Sequence, residues 1–330
     1  MRLADTSLKS VLFLAVVSIT LTVTAHAAGD GAPPPSKLKA ATAEAFERYA
    51  RLTDARNEIE LKRGTALLWI DAAPETERAT AYAALKRGDV KLQKLSTLEN
   101  GQPIHCPAGL IHHWVGAVFI PGAKLDDVLA VLQDYDHHSV FYAPDVERSK
   151  IESRDSGHFR VFLRFRRHKV ITVVLNTEHD IHYFRDTPER AHSRSSAVRI
   201  AEVENPGKRD EREKTPGDDG GFLWRMETWW RMEERDGGTY VQSEAASLTR
   251  DIPTGLGWMI GAFVNGIPKE TLTFTLEATR KAAQNKTGKT VGVSAAPESS
   301  PRLAQSANEH AATIEQRVEP ALSLFSAARN

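Results

Sequence analysis

The stretch of residues 239–281 constrains the fold more than any other part of the chain. Residues 239–249 have the composition and alternation of a strand, and Pro253 then ends that pattern. Apolar side chains follow at helical spacing, and Pro268 is expected to kink this helix because it has no N–H to donate. The apolar positions are Leu256, Met259, Ile260, Phe263, Val264, Ile267, Leu272 and Leu276. A late strand that leads into one long helix predicts a curved antiparallel sheet around that helix.

Residues 1–27 have the pattern of a secretory signal peptide. Arg2 and Lys9 precede an apolar run, and Ala25-His26-Ala27 is a small-x-small cleavage site. The pattern predicts cleavage after Ala27 and a periplasmic or secreted mature chain. An uncleaved anchor is the less favoured alternative, because the apolar run is shorter than the ~20 residues of a membrane span.

Charge and cysteine content exclude several classes of protein. The 43 Lys and Arg residues balance 43 Asp and Glu residues, so the net charge gives no indication of nucleic-acid binding. Cys106 is the sole cysteine of the sequence, which rules out an internal disulfide. We expect it to be a passive, buried thiol.

Composition predicts five segments. Residues 1–27 are the signal peptide and residues 28–35 a Gly/Pro/Ala linker, followed by a helical accessory subdomain at residues 36–107. The main domain spans residues 108–284 and includes a charged loop at residues 205–221 whose role is open. Residues 285–330 are predicted to be a disordered tail rich in Ala, Ser and Pro.

The last two strands allow a prediction of which side chains point inward. A turn at Gly237-Gly238 would pair Arg231 with Glu244 and leave the charged residues on one face. The opposite face is apolar or small, and a similar argument for an earlier hairpin places His158 opposite Glu178. The inward set is Trp224, Met226, Thr228, Trp230, Met232, Val241, Ser243, Ala245 and Ser247. Its small members leave room for the C-terminal helix or for a ligand.

The order of strand, short helices, antiparallel strands, final strand and long helix resembles the START-like (SRPBCC, helix-grip) superfamily. The resemblance rests on this order and on two helical segments, residues 121–136 (PGAKLDDVLAVLQDYD) and residues 250–280. It implies an α+β helix-grip fold with an N-terminal helical extension. Members typically hold an apolar or amphipathic ligand between the sheet and the C-terminal helix. Some are lipid carriers, and others are enzymes such as polyketide cyclases.

By this resemblance, the ligand site is lined by inward strand residues and by the C-terminal helix, with aromatic residues near its mouth. The predicted binding residues are Trp114, Tyr135, Phe141, Tyr142, Leu163, Val173, Leu175, Arg199, Trp224, Met226, Trp230, Ser243, Leu256, Met259 and Phe263. Arg199 is included on the hypothesis that it, or Arg194, points inward and holds an anionic ligand group bidentately. The alternative for both arginines is a solvated sheet face with cross-strand pairs.

No catalytic residue, metal site or cofactor is predicted. The histidines lack the spacing of a metal motif, and His112 and His113 must point to opposite faces of one strand. We therefore interpret the histidines as ordinary surface or edge residues. An acid or base inside a cavity could come only from His113, Glu244 or Arg199.

Three functions follow from these observations. The leading hypothesis is the binding of a hydrophobic small molecule, such as a lipid or isoprenoid, outside the cytoplasm. The alternatives are an enzyme of the same fold, cyclase- or hydrolase-like, and a non-enzymatic envelope module that contacts a partner through residues 36–107. The apolar character of residues 252–267 adds the hypothesis of a transient contact with a membrane surface.

Overall fold

The computed structural model describes residues 35–64, 67–168, 171–251 and 257–294, and in the last range it describes side chains for residues 266–286. The predicted signal peptide, all but the last residue of the linker, and the tail beyond Ser294 lie outside the described residues. The boundaries drawn between the segments stay predictions.

The described chain forms five α-helices and thirteen strands, with short 3-10 turns at Trp69–Ala72 and Tyr135–His137. The helices are α1 (Ala40–Arg63), α2 (Glu75–Lys86), α3 (Leu125–Leu132), α4 (His138–Phe141) and α5 (Gly257–Ser294). The strands are β1 (Ser36–Lys37), β2 (Lys91–Lys94), β3 (Leu98–Glu99), β4 (Gln102–Pro103), β5 (Gly109–Pro121), β6 (Val146–Asp155), β7 (His158–His168), β8 (Thr172–Thr187), β9 (Arg190–Glu204), β10 (Arg212–Glu213), β11 (Asp218–Asp219), β12 (Arg225–Arg235) and β13 (Gly238–Arg250).

One antiparallel sheet dominates the fold. Its strand order is β2-β5-β13-β12-β9-β8-β7-β6, with β10 paired to β9. The first long strand therefore lies beside the last one, and the strands between them follow in reverse chain order. Helices α3 and α4 fill the connection between β5 and β6. This arrangement is the helix-grip topology that the sequence order predicted.

Helix α5 packs on one face of the sheet, which we call the inner face. Leu272 and Leu276 are buried in one apolar core with Val118 and Ile120 of β5. Gly116 lies beneath the helix, and a Cβ there would come within 2.8 Å of Leu276 Cδ1. A residue without a side chain thus permits the close approach of helix and strand. Pro268, where the sequence predicts a kink, lies inside α5.

Helices α1 and α2 cover the opposite, outer face. Phe46 and Tyr49 of α1 pack with Trp229 and Leu248 in one apolar core. Leu85 of α2 belongs to a second apolar core on the same face. That second core comprises Leu68, Ile70, Leu85, Ala117, Phe119 and Tyr240. The segment preceding β5 also adds β2 to the edge of the sheet beside β5. The outer face is therefore buried by the N-terminal segment.

The last hairpin turns one residue earlier than its glycines suggested, which shifts the pairing of its strands by two residues. Asp236 and Gly237, both with positive φ, form the turn, and Arg235 pairs with Gly238. Arg231 consequently lies opposite Gln242 and not Glu244. The shift is even, so each side chain remains on its predicted face, because side chains of a strand alternate with a period of two.

Candidate functional site

A cavity of about 290 Å³ lies between the inner face of the sheet and the part of α5 around Pro268. Its walls are mainly apolar, from β7, β8, β12 and β13 on one side and α5 on the other. The apolar lining comprises Trp114, Leu132, Val146, Leu163, Phe165, Val173, Leu175, Ile181, Phe222, Leu223, Met226, Trp230, Ala245, Ile267, Pro268, Leu272 and Phe274. Such a concave apolar space with few polar groups is typical of small-molecule sites.

Short side chains explain why this space is not filled. Ser193 and Ser195 on β9, and Ser243 and Ala245 on β13, all face the cavity. Farther along the same face, Met232 and other larger side chains contact α5 and form a solid core. The inner face is therefore closed at one end and hollow where its residues are small.

His179 is a buried imidazole in the wall of the cavity. The Thr177 hydroxyl donates to the Leu163 carbonyl at 3.0 Å, so it accepts from His179 Nε2–H at 2.8 Å. Nδ1 then carries the lone pair, and Ser195 Oγ lies 3.4 Å from it. Burial lowers the pKa of His179 to about 4, which keeps the ring neutral at pH 7.

Ser193 supplies a hydroxyl without a partner. It is 2 % exposed, lines the cavity, and its Oγ makes no hydrogen bond to the described residues. An unsatisfied buried hydroxyl costs about 1–3 kcal/mol, so a polar ligand atom that met it would recover part of that cost.

A charged pair lies at the edge of the cavity beside α5. Arg167 Nη2 is 2.5 Å from Asp145 Oδ2 and donates to Thr271 Oγ1 at 2.7 Å. The guanidinium carbon also lies 5.9 Å from the centre of the Phe274 ring. Burial raises the pKa of Asp145 against the opposing charge of Arg167. The pair connects the end of β7 to α5, and its charges offset each other.

Three tyrosines fix the wall near α3 and α4. The Tyr183 hydroxyl donates to the Leu132 carbonyl at 3.2 Å and accepts from Tyr135 at 2.7 Å. Tyr142 Oη lies 2.9 Å from Thr279 Oγ1 of α5. Because these hydroxyls are satisfied within the protein, the rings present apolar surface to the cavity.

Most of the predicted binding residues lie at this cavity, although whether they contact a ligand stays a prediction. Those that line it are Trp114, Tyr135, Tyr142, Leu163, Val173, Leu175, Met226, Trp230 and Ser243. Leu256 lies outside the described residues, as do the side chains of Met259 and Phe263. Phe141 packs beside the lining, against the cores around α3 and Tyr135, and is not part of the cavity wall.

Arg199 faces outward, contrary to the inward hypothesis. The pairing of β8 with β9 shifts between Glu178–Arg199 and His179–Ala197, which leaves Val198 as an extra residue. A β-bulge of this kind reverses the alternation, so Ile200 and not Arg199 continues the inner face. Arg199 forms ion pairs with Glu178 and Glu213 on the outside.

Arg194 and Trp224 also lie on the outer side. Arg194 Nη2 is 2.5 Å from Asp54 Oδ2 of α1. Trp224 precedes β12, packs with Phe46 of α1, and donates from Nε1 to Asp219 at 2.9 Å. Strand alternation does not extend to Trp224 because this residue lies before the strand begins.

His113 and Glu244, two of the residues considered from the sequence as a possible acid or base, are buried beneath α1. His113 Nε2 donates to Glu244 at 2.8 Å, and Tyr49 Oη lies 2.8 Å from His113 Nδ1. Arg56 of α1 also binds the Glu244 carboxylate. Burial acts to raise the pKa of Glu244, but His113 and Arg56 outweigh it and lower that pKa. The group holds α1 on the outer face, away from the cavity.

The polar residues of the cavity were missed by sequence reasoning. His179 lies just beyond Glu178, where composition indicates the end of its strand, whereas Ser193 and Ser195 lie within a strand that composition does indicate but whose inward face was not assigned. The signal was present in β8, where Val173, Leu175, Thr177, His179 and Ile181 alternate regularly. Recognising Glu178 as an interior strand position would have placed His179 inside.

Several solved structures are similar to this chain at low sequence identity. No protein-family model matches the chain, and no curated protein matches its sequence. A STAR-related lipid transfer protein from Xanthomonas axonopodis is 18% identical at a TM-score of 0.39, over 58% of this chain and 98% of its own. The Zhui aromatase/cyclase from Streptomyces sp. R1128 is 16% identical at 0.35, over 54% and 96%. Human STARD10 is 8% identical at 0.37, over 67% and 84%.

Among the helices of the described residues, none is long and apolar enough to cross a membrane. The sheet order, the helices between its first two long strands, and the terminal helix on its inner face together define the architecture. The chain has an α+β helix-grip fold, as its sequence predicted.

Proposed function

We propose that this protein binds a hydrophobic or amphipathic small molecule in the cavity between the sheet and α5. The observation that carries this proposal is the apolar space of about 290 Å³, walled by core-type side chains and interrupted by a few buried polar groups. This volume lies near the lower end of the range for drug-sized ligands, about 300–1,000 Å³. An alkyl chain, an isoprenoid or a small fused-ring compound has a suitable size.

The polar groups favour a ligand with an uncharged polar end. His179 is neutral, and Ser193 and Ser195 offer hydroxyls beside it. The nearby charges of Arg167 and Asp145 already pair with each other. A hydroxyl or carbonyl group would satisfy Ser193, whereas a buried phosphate or carboxylate would lack a free cation among the described lining residues.

A substitution that fills the cavity tests the proposal. Ala245→Phe adds an aromatic ring to the inner face, and Val198→Phe adds the same ring at a position that is 50 % exposed on the outer face. Displacement of about four methylene equivalents of ligand, at ~0.8 kcal/mol each, costs roughly 3 kcal/mol or about 100-fold in affinity.

The assay is titration with N-phenyl-1-naphthylamine, an uncharged apolar fluorophore. We expect saturable binding to the wild type and to Val198→Phe, and a large loss for Ala245→Phe. Equal affinity of Ala245→Phe and wild type, with both folded, would contradict the proposal. Mass spectrometry of an organic extract of the purified chain would identify a native ligand.

The polar end of the ligand is tested separately with Ser193→Ala. A long-chain alcohol should lose about 1 kcal/mol, or roughly fivefold, in affinity for this variant. The alkane of equal length should bind both proteins equally, because it cannot use the hydroxyl. An identical loss for alcohol and alkane would argue against a hydrogen bond to Ser193.

The proposed location is outside the cytoplasm, and its support is the signal-peptide pattern of residues 1–27. N-terminal sequencing of the mature chain should begin at Ala28. A chain that retains Met1 in the cytoplasmic fraction would refute this location. The enzyme alternative has lost its sequence basis, because His113, Glu244 and Arg199 all lie away from the cavity.

A further inference from the structure

We propose that His158, Asp180 and His182 form a binding site for a first-row divalent transition-metal ion, with Zn²⁺ as the reference ion. The three side chains lie on the outer face of β7 and β8, on the opposite side of the sheet from the cavity. The site is therefore independent of the proposed ligand-binding function.

The pairing of β7 with β8 brings these residues together. His158 lies directly opposite His182, and Asp180 is two residues before His182 on the same face of β8. Their donor atoms all lie within 4.8 Å of one another. Two adjacent antiparallel strands thus hold three metal-binding side chains on a regular part of the sheet.

The distances match those between ligands of one metal ion. Asp180 Oδ1 lies 3.2 Å from His158 Nε2 and 2.9 Å from His182 Nε2. Tetrahedral zinc with bonds of about 2.1 Å separates its ligand atoms by roughly 3.4 Å. An ion can therefore replace the protons that these atoms now share, with small rotations of the imidazoles.

Neighbouring groups orient the ligands. Arg160 Nη1 donates to Asp180 Oδ2 at 2.9 Å, which directs Oδ1 toward the two imidazoles. The rings of His158 and His182 are parallel, with centroids 4.3 Å apart, and Phe184 extends the row beyond His182. Such outer contacts fix the orientation of metal ligands and commonly contribute to affinity.

Donor type and exposure define the kind of ion. Two imidazole nitrogens and one carboxylate suit Zn²⁺, Cu²⁺ or Ni²⁺ better than Mg²⁺ or Ca²⁺, which prefer oxygen. The side chains of His158 and His182 are 41% and 49% exposed, so an ion can enter from solvent. Water would occupy its remaining coordination positions.

The test is a Zn²⁺ titration of the full, metal-free chain without a histidine tag, in competition with a chromophoric chelator. The variants are His158→Gln and His182→Gln, and the matched control is His168→Gln, which removes an exposed imidazole at the far end of β7. We expect one ion per wild-type chain and at least about tenfold weaker binding for each site variant. The control should bind as the wild type does.

A spectroscopic measurement makes the assignment specific. The Cu²⁺ form should show electron paramagnetic resonance coupling to two imidazole nitrogens in the wild type and to one in His182→Gln. Absence of Zn²⁺ binding at concentrations on the order of 100 μM would overturn the proposal, as would unchanged binding in both site variants. Uptake of N-phenyl-1-naphthylamine should be the same in all these proteins.

Discussion

Three buried neutral histidines, His112, His138 and His179, should make the fold sensitive to acid, and His138 provides the clearest test. Its Nε2–H donates to the Val131 carbonyl at 3.3 Å, and its ring packs against Tyr135 and Tyr142, with the carboxylate of Asp134 near by. Burial lowers its pKa from 6.5 to about 4, despite opposing contributions from these acceptors. Burial, together with the charge of Lys94, lowers the pKa of His112 to about 4 as well.

The direction of the effect follows from proton linkage. Between pH 6.5 and 4 the unfolded chain protonates these imidazoles and the folded chain does not, so stability falls as the pH falls. At pH 5 each histidine lowers the free energy of unfolding by about 2 kcal/mol, or about 6 kcal/mol for the three together. A typical domain has only ~5–15 kcal/mol in total.

The assay is urea unfolding at pH 7 and pH 5, followed by tryptophan fluorescence. His138→Gln keeps an N–H donor of similar length and cannot protonate, so its loss of stability between the two pH values should be about 2 kcal/mol smaller than that of the wild type. All other titrating groups are shared, and the difference therefore isolates His138. Equal losses in the two proteins would refute the reasoning.

Two substitutions test the attachment of helices to the two faces. Glu244→Gln leaves His113 and Arg56 without the buried carboxylate that both contact. It should lower the free energy of unfolding by about 3 kcal/mol in urea titrations. A change below about 1 kcal/mol would show that the Glu244 carboxylate contributes little to stability. Gly116→Ala places a Cβ 2.5 Å from Leu92 Cδ2 of β2 and 2.8 Å from Leu276 Cδ1 of α5, and the resulting overpacking should cost about 1–3 kcal/mol and lower the melting temperature. An unchanged melting temperature would mean that both leucine side chains can move aside freely.

The sequence predicted the inner face well because alternation tolerates certain errors. The register of the last hairpin is displaced by two residues, yet Met226 and Ser243 still point inward. An even displacement preserves the face of every residue, whereas an odd one reverses it. Binary patterning therefore identified the apolar wall without the correct pairing.

Arg199 and His158 show where this argument fails. The bulge at Val198 inserts one residue and turns Arg199 outward, and no local composition marks it. His158 was expected opposite Glu178 but lies opposite His182, four residues farther along β8. The face was correct, but the neighbours were not, so the group of His158 and His182 could not be recognised.

The outer face shows a different limit. His113 and Glu244 have the residue types of catalytic groups, and their partner Arg56 belongs to a helix far away in the chain. A sequence shows the chemistry of each side chain but not the surface that covers it. Packing of α1 converts these residues into a buried structural group.

Collisional quenching by a brominated long-chain alcohol tests the central claim most directly, because bromine quenches only tryptophans that it contacts. Trp114 and Trp230 line the cavity, whereas Trp224 and Trp229 pack under α1. The account predicts saturable quenching that is reduced in the Trp114→Phe/Trp230→Phe variant and retained in Trp224→Phe/Trp229→Phe. Absence of saturable quenching in the wild type, or quenching of undiminished amplitude in the first variant, would contradict a ligand-binding cavity between the sheet and α5.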